Sequence, residues 1–314
     1  MISIKRYSEE DKHIWNDYNK RSKVSMFMMD RNYMDYHSNR FHDHSLMFYE
    51  EDVLIALFPS CVQNEKLVSH AGLTFGGFIT NEKMKQHRMN DCFSALIDYA
   101  RDQNFKSIIY KAIPHMYHTQ PAEEDRYSLY SNNAKLVTVD ASTVINLSKP
   151  LKMPKGRKAQ ISRARREGVE IKVLNSLDDY KEFIRLENQI LQERHNTHAV
   201  HSAEELKLLH DRFPDSIHLY AAVKKNNIIA GTVIYEYQTV VHTQYMAAND
   251  EARKIGALDL VISTIIDYYK NNKLWIDFGI STEHGRIYLN EGLISQKEGF
   301  GGRTNIYDIW EIEV

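Results

Sequence analysis

Cys92–Ile113, CFSALIDYARDQNFKSIIYKAI, and Leu260–Ile280, LVISTIIDYYKNNKLWIDFGI, share one construction. Each opens with apolar residues at helical spacing: Phe93, Leu96, Ile97 and Ala100 in the first, Leu260, Ile262, Ile265 and Ile266 in the second. A polar turn follows, at Asn104 or at Asn271-Asn272, and then an apolar run of strand length. Two such units in a chain of 314 residues suggest an internal duplication and two α/β (α+β) domains, each large enough to bury its own core. The boundary is placed between residues 1–150 and 151–314.

Around the first unit, Ile2–Asn39 reads as helix and loop. Ser45–Glu50 and Val53–Phe58 read as a hairpin turning at Glu51-Asp52, and Leu67–Ile79 as a strand interrupted by Gly72 and Gly76-Gly77. Ser107–Ile113 is a strand that Pro114 ends. Around the second, Ile217–Val223, Ile228–Tyr237 and Val240–Ala248 read as strands, Leu258–Tyr269 as a helix and Leu274–Phe278 as a strand. A last strand, Ile306–Ile312, is expected to close the sheet beside Leu274–Phe278. Between the halves, Lys149–Glu170 predicts a helix from Lys155–Arg157 to Arg166 with Gly168 as terminator, apolar only at Ile161 and Ala164. Its eight cations before Gly168 suit either a solvated linker helix or a phosphate or RNA-backbone contact. Leu177–Gln192 follows as a long amphipathic helix.

The formal charge of −2 argues against a whole-molecule polyanion binder, DNA included. Cys61 and Cys92 have no metal-ligand spacing and suggest a reducing compartment. The His37, His42 and His44 run and the His115, His118 and Glu124 triple match no ligand pattern, so no metal is expected. No apolar leader or bilayer-length stretch occurs, and the expected location is cytoplasmic, with no membrane span.

The chemistry is expected in Leu289–Arg303, LNEGLISQKEGFGGR, where Lys297 stands between Asn290-Glu291-Gly292-Leu293 and the Gly-rich exit Gly299-Phe300-Gly301-Gly302. Glycine lets a backbone approach a ligand, and a cation held there suits a phosphate or the oxyanion of an acyl transfer. A hairpin turn with a solvated lysine is the bland alternative. A desolvated lysine acting as a base is another. Asp277-Phe278-Gly279, without an HRD loop or a nucleotide loop, does not indicate a kinase. His242 and Tyr245 are candidates for proton handling, although in a regular strand they face opposite sides. Only a bulge would bring them together.

Gln296-Lys297-Glu298-Gly299-Phe300-Gly301 resembles the lysine-then-Phe-Gly signature that ends the Fem-type aminoacyltransferases. That resemblance implies two fused GNAT-like modules, each a mixed, mostly antiparallel sheet flanked by helices. The basic segment Arg157–Val169 is similar to the helix opening their second module. The GNAT phosphate loop, Gln/Arg-x-x-Gly-x-Gly/Ala, is matched by Arg253, Lys254, Gly256 and Ala257, but Leu258 stands where a small residue belongs. The implied reaction moves an acetyl or aminoacyl group onto an amine, in preference to a hydroxyl, of a sugar- or nucleotide-linked envelope-glycan precursor. No tightly bound cofactor is implied. The donor would be acetyl-CoA or aminoacyl-tRNA, and the short interval Val173–His210 leaves no room for the coiled-coil arm that often holds tRNA. Acceptor contacts would fall on Tyr36, His70, Thr74, Gly76, Lys111, Tyr117 and Glu124 of the first module and on Asn290 and Phe300 of the second. The rival class is a catalytically inactive GNAT-fold binding or assembly module.

Overall fold

Two apolar cores, each with its own strands and helices, organise the computed structural model, which describes residues 2–283 and 287–314. One compact unit is Met1–Ala141 together with Ile306–Val314, and the other is Ser142–Asn305. Both are α/β units of mostly antiparallel strands flanked by helices.

In the first unit Ile2–Arg6, Leu46–Glu50, Val53–Phe58 and Ile79–Thr80 form an antiparallel sheet. Glu51 and Asp52 make the expected hairpin turn with φ of 47° and 63°. Ile2–Arg6 is strand where the sequence suggested helix or loop, because alternating Ile2 and Ile4 pack on the core. The helix Gln86–Asp102 buries Met89, Cys92, Phe93, Leu96, Ile97 and Ala100, the stripe its spacing predicts. The segment expected as one strand over Leu67–Ile79 is strand only over Lys66–Val68 and again at Ile79–Thr80. Its glycines make a loop fold back on itself. A Cβ at Gly76 would lie 2.5 Å from the Ser69 carbonyl oxygen, and Gly77, at φ +87°, packs against the Tyr110 ring.

In the second unit the strand order is Glu170–Leu174, Ile217–Lys224, Asn227–Glu236, Val240–Ala248, Trp275–Ile280 and then residues 142–146. All neighbours are antiparallel except Val240–Ala248 with Trp275–Ile280. Leu177–His195 and Ala203–Arg212 begin with capping boxes, Ser176 with Asp179 and Ser202 with Glu205. Ala257–Tyr269 buries Leu260, Val261, Ile262 and Ile265. The basic helix runs Lys155–Arg166 as predicted, with Ile161 and Ala164 inward and Gly168 at φ +73° behind it.

The closing strand is a correction. Arg303–Glu313 does not lie beside Trp275–Ile280; its residues 309–313 pair with Ser107–Lys111 of the first unit. Three contacts hold that register. Glu311 accepts from Lys66 Nζ at 2.7 Å and Ser107 Oγ at 2.6 Å, and Ile312 enters the first core. The place beside Trp275–Ile280 is taken by the end of Lys135–Asn146, a strand that sequence reasoning left unassigned. Among the described residues no helix is long and apolar enough to cross a membrane.

Candidate functional site

Val240–Ala248 and Trp275–Ile280 pair only through Val240–Trp275, Val241–Ile276 and His242–Asp277, yet both strands continue. A parallel ladder that stops before its strands do leaves a divergence, and His242 and Asp277 stand at its apex. On the other edge of Val240–Ala248, Tyr245 pairs with Val233 and Thr243 with Ile234, so Gln244 is an extra, unpaired residue. This bulge reverses the alternation. His242, opposite Tyr235, and Tyr245, opposite Val233, come to share one face, as sequence parity alone forbade. Thr243 and Met246, opposite Ile234 and Thr232, take the other.

Asp277 has no exposed surface and is fully engaged. Its Oδ2 lies 2.9 Å from His242 Nδ1; its Oδ1 accepts from Ser142 Oγ at 2.6 Å and from the Gly279 N–H at 3.0 Å. With Nδ1 donating to a carboxylate, His242 is held in the tautomer whose Nε2 is basic. Gly279, at φ +69°, turns the strand end across the ring: a Cβ there would lie 3.3 Å from His242 Cε1. Tyr245 Oη is hydrogen-bonded to His201 Nδ1 at 2.5 Å.

Lys297 lies in the helix Glu291–Glu298, which Asn290 caps through the Leu293 N–H at 2.9 Å. Its side chain is 4% exposed, and Nζ donates to the carbonyls of Gly279 at 3.0 Å and Ile280 at 2.7 Å. Burial pulls its pKa down to about 8, against a smaller upward pull from Asp277. The solvated-lysine reading therefore does not describe it. Lys297, Gly279, Asp277 and His242 form one connected group at the divergence.

The glycines of the Gly-rich exit pack closely on their own chain. A Cβ at Gly299 would lie 2.5 Å from Arg157 Nη2, one at Gly301 2.7 Å from the Leu151 carbonyl, and one at Gly302 2.5 Å from Thr143 Cγ2. Phe300, expected at a substrate, is a core residue: 4% exposed, stacked on Phe278 at 5.7 Å, with the Arg157 guanidinium 4.1 Å from its ring centre. Asn290 is spent on its cap and on Glu283 Oε1 at 2.7 Å. The phosphate-loop residues also make contacts within the chain. Gly256, at φ +77°, is needed because a Cβ would meet Gln160 at 2.7 Å, while Arg253 pairs with Asp250 at 2.7 Å. The Lys254 carbonyl accepts from Arg163, and Ala257 is buried at the helix start.

In the first unit, Lys111, His70 and Tyr36 do cluster, but around one another. Lys111 Nζ donates to the carbonyls of His70, at 3.0 Å, and of Leu73. His70, 2% exposed and at φ 37°, stacks on His37 at 5.5 Å, and Tyr36 stacks on His37 from 4.4 Å. Burial, then the His37 ring beside it, keeps the His70 imidazole neutral well below its ordinary pKa. Tyr117 is buried against Phe75 at 4.7 Å; Glu124 pairs with Lys23 at 2.6 Å; Gly76 packs on Ser69; Thr74 is exposed. Among the described residues no group of three or more His, Cys, Asp or Glu is arranged to hold a metal.

Sequence reasoning placed Asp277 near Lys297 without a role, missed Ser142 beside Asp277 and His201 beside Tyr245, and passed over the buried Glu187 elsewhere. The partners lie 35, 135 and 44 residues apart along the chain, so spacing could not reveal them. Glu187 had a signal. It falls four residues after Phe183 on the apolar stripe of Leu177–His195, and burial pushes its carboxyl up to about 7.

Residues 155–285 match the acetyltransferase (GNAT) domain family. No curated protein matches the chain by sequence. Among solved structures, FemX is similar over 99% of this chain and 97% of its own, with a TM-score of 0.68 at 8% identity. The C-terminal domain assigned to a lysylphosphatidylglycerol synthetase of Agrobacterium fabrum covers 97% of this chain and 92% of its own, TM-score 0.65, 14% identity. A tandem GNAT protein of the clavulanic acid biosynthesis pathway covers 100% and 98%, TM-score 0.55, 10% identity. The chain has the Fem-like tandem GNAT fold, two GNAT-like modules in succession.

Proposed function

From a Fem-like tandem GNAT fold with a buried lysine where two strands diverge, we propose an acyltransferase whose centre is His242, Asp277 and Lys297 of the second unit. The observation that carries this reading is the bonding of Lys297 Nζ to Gly279 and Ile280, the residues that follow the His242–Asp277 pair. A protonated Lys297 has three N–H groups. Two are donated to carbonyls, and the third stabilises the oxyanion formed when an amine attacks the donor carbonyl. His242, oriented by Asp277, takes the amine proton through Nε2 and passes it to the leaving group, the ester oxygen or CoA sulfur of the donor, as the tetrahedral intermediate collapses and that bond to the acyl carbon breaks. Tyr245, on the same face by virtue of the bulge, stands with His201 as a second hydrogen-bonding group.

The acceptor is an amine on a sugar- or nucleotide-linked envelope-glycan precursor, and N-acyl transfer is favoured because a neutral amine attacks without prior deprotonation and sheds its proton only as the C–N bond forms, whereas a hydroxyl must lose its proton in the attack. Of the two donors, an aminoacyl ester is favoured over acetyl-CoA. Gln160 packs against Gly256, and Leu258 stands where a small residue would admit a pyrophosphate. The test is a mass-spectrometric transfer assay with acetyl-CoA and aminoacyl-tRNA as donors and nucleotide-linked amino-sugar peptides as acceptors. Lys297→Ala and His242→Gln are expected to lower turnover at least ten-fold with unaltered circular dichroism. Acyl transfer that survives both substitutions would refute this centre.

A further inference from the structure

The charge of the helix Lys155–Arg166 is not used by the proposed centre. Ile161 and Ala164 are buried, and Arg157 is tied to Asp259 and Phe300, so the inward side of this helix is fixed. At 100° per residue the half opposite Ile161 and Ala164 carries Lys155, Arg163 and Arg166, with Lys158 and Arg165 along its margin, all exposed. Lys149 and Lys152, in the loop before it, are exposed too. Neighbouring acids pair with cations outside the strip: Glu167 and Glu251 with Lys224, Asp250 with Arg253, and Asp259 with Arg157. The strip is therefore a row of uncompensated cations about 17 Å long on a rigid support. Within that row Leu151 is 47% exposed, and its backbone is held in place, the carbonyl pressed against Gly301.

We propose that this face is a docking surface for an anionic lipid bilayer. A planar anionic surface engages every cation at once whatever their spacing, and an exposed leucine between lysines can enter the acyl boundary. A nucleic-acid strand fits less well. The outward positions between the cations are Ala159 and Ser162, and no aromatic ring is there to stack on a base. The helix does not insert, because its apolar side already belongs to the protein core. Binding is electrostatic with one apolar contact, independent of the acyl-transfer centre.

The experiment is co-sedimentation of the full chain with phosphatidylcholine vesicles, with and without phosphatidylglycerol, at low and physiological salt. Expected are binding to the anionic vesicles only and weakening with salt. Each cation lost should cost about five-fold in affinity. The combination Lys155→Glu, Lys158→Glu, Arg165→Glu and Arg166→Glu should therefore lose more than a hundred-fold. Leu151→Ser should lose a few-fold with the salt dependence unchanged. The control combination Lys20→Glu, Lys83→Glu, Lys85→Glu and Lys270→Glu makes the same change in net charge elsewhere and should bind within a few-fold of wild type. Circular dichroism verifies that both fold. The proposal is overturned by no binding to anionic vesicles at low salt, by equal loss in the control, or by a four-cation variant that loses binding of tRNA while vesicle binding is unchanged.

Discussion

Replacing Lys297 with methionine tests the burial of its charge without any substrate. The ordinary lysine pKa of 10.5 is pulled down to about 8 here. Below pH 8 both folded and unfolded chains hold the ammonium, and the folded chain bears its full desolvation cost, about 3 kcal/mol. As pH rises the folded lysine loses its proton first, so the cost shrinks from pH 8 and vanishes above 10.5. Between pH 7 and 9.5 wild type should gain about 2 kcal/mol relative to Lys297→Met. Methionine also removes the bonds to Gly279 and Ile280, but that loss does not depend on pH and sets only the offset. Urea unfolding of both proteins at half-unit pH steps measures the difference, since all other titrations cancel. A difference that stays flat over this range refutes the buried ammonium and, with it, the oxyanion role. If the ammonium is the acting species, turnover should also fall as pH passes 8.

Glu187→Gln should stabilise the protein by about 3 kcal/mol at pH 8, because burial raises this carboxyl from 4.5 to about 7. The gain should fade as pH falls through 7 and be absent below 4.5; equal melting temperatures at pH 8 would contradict it. Gly256→Ala should cost about 2 kcal/mol or more, since it must take φ +77° and displace Gln160, as chemical denaturation would register. Asp277→Asn should keep the fold but lower turnover at least a hundred-fold by freeing the His242 tautomer. NMR of the imidazole nitrogens would show the altered proton position.

Elements with strong local periodicity were legible in the sequence. The helix Gln86–Asp102, the three strands after Ile217 and the basic helix ending at Gly168 follow from spacing and terminators. The signature around Lys297 singled out a residue that the fold buries against the carbonyls of Gly279 and Ile280. Illegible were features set by distant partners. Glycines at 76, 256, 299, 301 and 302 carry the same letters whether they face a ligand or their own chain, and here each faces its own chain. Lys135–Asn146 was missed because its first residues are exposed and mixed in polarity while its last are buried, so no single period runs through it. The bulge at Gln244 leaves no mark in residue type.

The first unit is completed by a segment, Ile306–Val314, that is synthesised long after the rest of it. Ile312 is part of its core and residues 309–313 are the neighbours of Ser107–Lys111. A nascent chain leaving the ribosome would thus carry an N-terminal half with one strand position vacant for as long as the intervening 160-odd residues take to emerge. A fragment ending near residue 150 inherits that defect permanently, with an open edge ready to recruit another chain.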